Sequence, residues 1–421
     1  MSRARWITLG ALLLVLSLLP FVPHGGGDEG TIRNAGQPSR ATALTAGYGR
    51  ITPAYRHSID RALAAGPGVA ARVSPTSAPR DLVDDLVRCA VFEGQRYCLD
   101  TGWTQRSQAQ VQARTTALVE RQAARPATTT QATGDLSALA SLRQQARMDP
   151  SARSAAERDE LMQAARSVAK VWLLRHQIQG VPLPPHFFAR HPEAQAAADP
   201  VPGTTTSRGG TTTSVAAPAP APVAARKVKH WRAYPRKGVV LDPKDVSAQR
   251  LTYWCGPTSM QMITWGWSGH RRTQQHWASE LGTTTSGSSI TSMVHVVNRD
   301  TGWDKPSYAG PYIVLDIAHW SFHQWKLLMA RHIVDYRAPV VLHPVLLTQF
   351  YPYLDHDGSG HFQVGRGYKK RDGKAPLLGY FEPWNQQRFH PDEPYISRVQ
   401  WRNAYKSYRA NEAHFQHNVG V

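Results

Sequence analysis

The chain has 421 residues, too many for one ordinary compact domain, so two folded parts with linkers are expected. It is strongly basic, with 49 Lys and Arg against 30 Asp and Glu and a net charge of +19. That excess suits anionic partners such as nucleic acid, lipid headgroups or phosphate-bearing wall polymers. No recognition-helix pattern, zinc-finger spacing or aromatic RNA-binding motif is present, so nucleic acid is set aside.

Met1 to Arg5 is a short basic start, and Trp6 to Val22 is an apolar run without a charged residue. Residues 1–27 therefore read as a signal peptide or N-terminal anchor. Pro20 and Pro23 are poor in the interior of a spanning helix. A small-residue cleavage site is missing near Pro23, which leaves a retained anchor open. Either way the rest is expected to be secreted or envelope-associated, touching the membrane only through this segment if it stays uncleaved. Residues 28–80 lack sustained apolar periodicity and read as a linker.

Residues 81–189 read as a small, mostly helical module. Cys89 and Cys98 flank Glu93-Gly94 in two short β-like stretches, and a hairpin would bring their sulfurs together as a disulfide outside the cell. Residues 125–134 read as a break. A helix is expected from Ser151 to Gln179, with Ser154 and Glu157 as a capping box, Leu161, Ala165, Val168 and Trp172 on one face, and Gly180 at its end. Residues 190–229 are rich in Ala, Pro and Thr and read as an extended linker. The basic run from Arg226 to Lys237 is read as a solvated domain edge rather than an envelope-binding patch.

Ten of the thirteen tryptophans fall between Trp231 and Trp401, which marks 230–421 as the second folded part, with a packed core or an aromatic-lined cleft. There, Cys255 precedes Gly256 and Pro257, and Met260, Ile263 and Trp267 recur at helical spacing. Cys255 thus opens a helix, where unpaired N–H groups favour a thiolate. With a histidinium near, such a site lowers a cysteine pKa to ~3.5–7.5. A buried structural cysteine is the alternative. Downstream, His361 opens a strand-like alternation, with Phe362 and Val364 toward the core and Gln363 on its own side. Cys255 is also the odd thiol left once Cys89 and Cys98 pair. Asp355 to Gly360 reads as a turn, since the late glutamate of a calcium loop is absent.

These segments resemble the bacteriocin-processing, double-glycine-leader peptidases and their exported stand-alone relatives, which are papain-like cysteine peptidases. The resemblance spans roughly Asp242 to Asn385. It rests on Gln249 six residues before Cys255, on Cys255-Gly256-Pro257, on the strand Ala338 to Leu342, and on Gly360-His361-Phe362 with Gly367-Tyr368. It implies an α+β class with a papain-like domain at the C-terminus, its nucleophile helix packed on an antiparallel sheet. It implies Cys255 as nucleophile, His361 as base and Gln249 in the oxyanion hole. The family has Asp-Pro as its third position, where this chain has Glu382-Pro383; Asn385 is the alternative third member. Residues 282–294 are similar to the polar loop beside the cleft of exported members. The implied reaction is hydrolysis of a peptide or isopeptide bond in a protein or peptide substrate through a thioester, without cofactor or metal. A cell-wall amidase or endopeptidase of another papain-like family, or an inactive envelope-binding module, stay as alternatives.

Overall fold

Cys89–Phe92 (β1) and Gln95–Cys98 (β2) pair antiparallel around Glu93 and Gly94, both at positive φ, the two-residue turn that matches strand twist. Their register sets Cys89 opposite Cys98, and the two form a disulfide with Cα atoms 3.9 Å apart, closer than is usual. A computed structural model describes residues 49–67, 73–125, 132–194, 229–268, 272–301, 310–384 and 396–421. The proposed signal segment, most of the 190–229 linker and Asn385 lie outside the described residues.

The hairpin continues into Gly102–Thr104 (β3), and the remaining strands come from the C-terminal half. These are Lys237–Val239 (β4), Val314–Leu315 (β5), Val340–Leu342 (β6), Gln363–Arg371 (β7), Lys374–Phe381 (β8), Ile396–Gln400 (β9) and Val419–Gly420 (β10). One sheet runs β1-β2-β3-β5-β10-β6-β7-β8-β9, with β4 paired to β7. The class is α+β, but the sheet is mixed rather than purely antiparallel. β3 meets β5 in parallel through Trp103 and Leu315. The N-terminal hairpin enters the sheet at that point, so residues 81–189 do not stand apart from residues 230–421. A core cluster running from Tyr55 to Val421 includes residues of both halves.

The region read as a linker before residue 80 contains the helix Pro53–Ala64. Thr52 caps it, and Tyr55, Ile59 and Ala62, spaced four and three apart, form its buried face. That narrow stripe among polar neighbours was too sparse to read as sustained periodicity. The long helix begins at Pro150, not at a Ser154 cap. Asp149 accepts from the Ser151 and Ala152 N–H groups, while Glu157 turns inward to an ion pair with Arg88 at 2.5 Å. It runs to Leu174, passes into a π turn over Arg175–Gln179, and stops at Gly180 in the left-handed region.

In the second half, Cys255–Ser268 is a helix packed against β7. Thr258 N donates to the Trp254 carbonyl, which places Cys255 in the first turn. The helices Phe322–Val334 and Trp401–Ala410 bring Trp325, Trp401 and Tyr408 together with ring centroids 5.4–5.6 Å apart. Each aromatic pair adds about 0.5–1.5 kcal/mol beyond area burial. The basic run is partly consumed by the fold: Lys229 pairs with Asp335 at 2.6 Å, and Arg236 pairs with Asp372.

Candidate active site

Two local structures build the site. The first turn of the 255–268 helix presents the Cys255 thiol. β7 and β8 present the imidazole and its acid, because their register pairs Val364 with Phe381 and so sets Gln363 and Glu382 on neighbouring ends. His361 is held just before β7 by its own N–H, which donates to the Pro344 carbonyl at 2.9 Å. Cys255, His361 and Glu382 are all buried.

His361 Nε2 lies 2.6 Å from Glu382 Oε1. The carboxylate is held by three further donors: Gln363 Nε2 at 2.7 Å and Tyr353 Oη at 3.3 Å to Oε2, and Trp384 N at 3.0 Å to Oε1. This cradle offsets the extra methylene of glutamate, since every oxygen is positioned. Gln363 and Tyr353 were missed in the sequence reading as partners of the acid. The signal for Gln363 was its place two residues after His361 on one strand face; Tyr353 lies in a turn and gave none.

The Cys255 sulfur rests against the Phe362 and Gly256 backbone N–H groups. The thiol therefore lies beside the residue that follows His361. Among the described residues, His361 Nδ1 has no hydrogen-bond partner, so none joins it to the sulfur in this conformation. Burial pushes the Cys255 thiol well above its ordinary value, and the charges of Asp135 and Glu382 push the same way; the two N–H groups oppose them and lose. The low thiol pKa expected from a helix start is therefore not the property of this closed arrangement.

The covering element is a strap, Thr133 to Leu136, which begins in the stretch 125–134 read as a break. Thr133 donates from N and Oγ1 to Ser359 Oγ and the Gly360 carbonyl on one side. On the other side Ser288 N donates to the Gly134 carbonyl, and Leu136 N donates to Ser288 O. Gly134 has φ +110°, and a Cβ there would sit 2.4 Å from the Tyr253 carbonyl and 3.0 Å from Cys255 Sγ. Only glycine lets the backbone pass so close to the sulfur.

Gln249 departs from the expected geometry. Its side-chain amide donates to the Leu251 and Thr252 carbonyls, at 3.0 and 2.6 Å, rather than offering a free N–H for an oxyanion. Its backbone N–H donates to Pro383 O at 2.6 Å, which ties the loop before Cys255 to the segment carrying Glu382. The polar loop leads through Ser289, which caps the helix Ile290–Asp300. Asp357 in the 355–360 turn accepts from Thr348 N and Oγ1.

Residues 243–413 match the model of the Peptidase_C39 like family. This supports a papain-like cysteine peptidase family for the C-terminal part, without pointing to bacteriocin processing in particular. Neither a curated protein nor a solved structure matches the chain.

Proposed function

We propose that the chain is an exported cysteine peptidase that hydrolyses a peptide or isopeptide bond, with Cys255 as nucleophile, His361 as base and Glu382 as its orienting acid. The observation that carries this is the buried His361–Glu382 pair, whose chain neighbour Phe362 turns its backbone N–H to the thiol that opens the 255–268 helix. Glu382 on Nε2 leaves Nδ1 to take the thiol proton. The thiolate forms a bond to the substrate carbonyl carbon, and the oxygen becomes an oxyanion facing the Cys255 N–H. Collapse breaks the carbon–nitrogen bond, and His361 gives its proton to the departing amine. Water, deprotonated by His361, then cleaves the thioester and restores the thiol. A substrate reaches the sulfur only after the Thr133–Leu136 strap moves aside.

Export is supported by the Trp6–Val22 run and the Cys89–Cys98 disulfide. The basic excess suits retention on anionic envelope polymers. A second reading, an amidase or endopeptidase of another papain-like type, is favoured by the Gln249 amide, which is turned to the Leu251 and Thr252 carbonyls. Labelling with an electrophilic cysteine probe, with Cys255→Ala and His361→Ala as controls, tests the shared chemistry. Labelling that persists at its full rate in His361→Ala would end it. Cleavage of peptide against wall-peptide amide libraries separates the two readings.

A further inference from the structure

Asp135, in the strap, faces two histidines from the other half of the chain. Its side chain is 1 % exposed, and Oδ1 lies 2.8 Å from His343 Nε2 and 3.4 Å from His414 Nε2. One ligand atom from each of the three falls within 4.8 Å of the others. Nothing in the peptidase chemistry uses them.

The hydrogen bonding around them leaves a hole in the accounting. His343 Nδ1 lies 2.5 Å from Asn418 Oδ1, and in the neutral ring the proton shared with that oxygen sits on Nδ1, which leaves Nε2 able to ligate. That nitrogen faces the Asp135 carboxylate at 2.8 Å, where either a proton or a cation can sit between them. Among the described residues, His343 Nε2 and both Asp135 oxygens have no aligned hydrogen-bond partner. Two imidazole nitrogens and a carboxylate oxygen gathered this closely, with little solvent access, are spaced as the ligands of one cation are. The ring of His343 is fixed further by stacking on Phe362, with centroids 4.5 Å apart. An imidazole whose second nitrogen donates to an amide oxygen is the usual form of a metal-ligating histidine.

We propose that Asp135, His343 and His414 bind one divalent transition-metal ion, which pins the strap over Cys255. Two imidazoles and a carboxylate suit Zn²⁺ and its neighbours in the first transition row, rather than Mg²⁺ or Ca²⁺. In the metal-free structure His414 Nε2 donates to the Leu136 carbonyl at 2.8 Å, so binding displaces that proton, and a water takes the fourth place. Binding joins residue 135 to residues 343 and 414 across the cleft, so occupancy stabilises the closed strap and release frees it. Metal binding does not depend on the peptidase reading; only the consequence for the thiol concerns that site.

The test uses the full mature chain carrying Cys255→Ala, which removes the thiol as a competing ligand. After chelator treatment, titration with Zn²⁺ is expected to reach one ion per chain and to raise the melting temperature. His343→Gln and His414→Gln, each checked for folding by circular dichroism without metal, are expected to weaken that binding by more than about 100-fold. Co²⁺ in place of Zn²⁺ is expected to give visible d–d bands, with no thiolate charge-transfer band in the chain that retains Cys255. In that chain Zn²⁺ slows alkylation of Cys255, and His343→Gln abolishes the slowing. Absence of one-to-one binding in the Cys255→Ala chain, or binding indifferent to both histidine substitutions, overturns the proposal. A failure of Cys255 to label in any form would instead count against the peptidase reading and leave the metal titration standing.

Discussion

Glu382 Oε1 lies 2.6 Å from His361 Nε2, and both side chains are shielded from solvent. On the proposed mechanism the carboxylate leaves Nδ1 as the nitrogen for the thiol proton and would stabilise the imidazolium that accompanies a thiolate. Glu382→Gln keeps the shape and removes the charge. It is expected to lower kcat/KM by about 10²–10⁴-fold while the melting temperature changes little. Gln363→Ala and Tyr353→Phe, which loosen the cradle and leave the acid, are expected to cost roughly 10-fold or less. Activity equal to the parent in Glu382→Gln would remove Glu382 from the mechanism.

The Cys89–Cys98 disulfide closes a short loop at the sheet edge that anchors the N-terminal strands, with a sequence separation of 9. Loop-closure entropy sets its contribution at about 2–3 kcal/mol. Cys89→Ser is expected to lower the melting temperature by several degrees and to make it insensitive to reductant. Thiol titration of the denatured, unreduced parent should find one free cysteine, Cys255. Three free thiols would show that the pair is not formed.

The parts of the site legible in the sequence were those built locally. Cys255 before Gly256-Pro257 announced a helix start, and the alternation from His361 to Val364 announced β7, because helix and strand periods are written in neighbouring residues. Glu382 was reachable through its proline and its distance along β8. Illegible were the contacts that the tertiary fold alone creates. Thr133 and Gly134 fell in the stretch read as a break, since the strap's hydrogen bonds go to residues more than 150 positions away, at Ser288, Ser359 and Gly360. Asp135, His343 and His414 share no spacing that a linear motif could show. The joining of β3 to β5 rests on one register pair, which no composition signal at residue 230 could reveal.

Lys170 is buried in the long helix, and its Nζ, 5.1 Å from the Tyr312 ring centroid, has no hydrogen-bond partner among the described residues. Burial, with Arg331 nearby, holds its pKa well below the ordinary lysine value. With its folded-state pKa lowered, the unfolded chain holds this proton to higher pH, so the contribution of Lys170 to stability rises with pH up to about 10.4 and falls as pH drops. Lys170→Met removes this cost. It is expected to raise the melting temperature at pH 7 by several degrees, with the gain shrinking toward pH 10. A gain that stays constant with pH would show that the lysine is not held neutral.

Gly134 crosses the Cys255 sulfur at a φ of +110°, with no room for a Cβ beside the Tyr253 carbonyl. Closure of the strap should therefore require glycine at this position. In Gly134→Val the closed backbone is strained and sterically blocked, at about 1–3 kcal/mol for the backbone conformation alone. An open population rises by roughly 5- to 150-fold for that cost. Closed, the thiol is buried and its pKa lies above the usual cysteine value, so at neutral pH it is protonated and unreachable. Open, it regains solvent and the helix N-terminus, and both favour the thiolate. Iodoacetamide should thus react slowly with the parent at pH 7, its rate climbing only toward alkaline pH. With Gly134→Val the rate at pH 7 should rise by about 10-fold or more, and the midpoint of the rate profile should move to lower pH. The direction of that shift distinguishes strap opening from general unfolding. An unfolded chain would label with the midpoint of a free cysteine, near 8.5, whereas an opened site with His361 in place should fall below it. Parent-like rates across the whole pH range would mean that the strap does not guard the thiol.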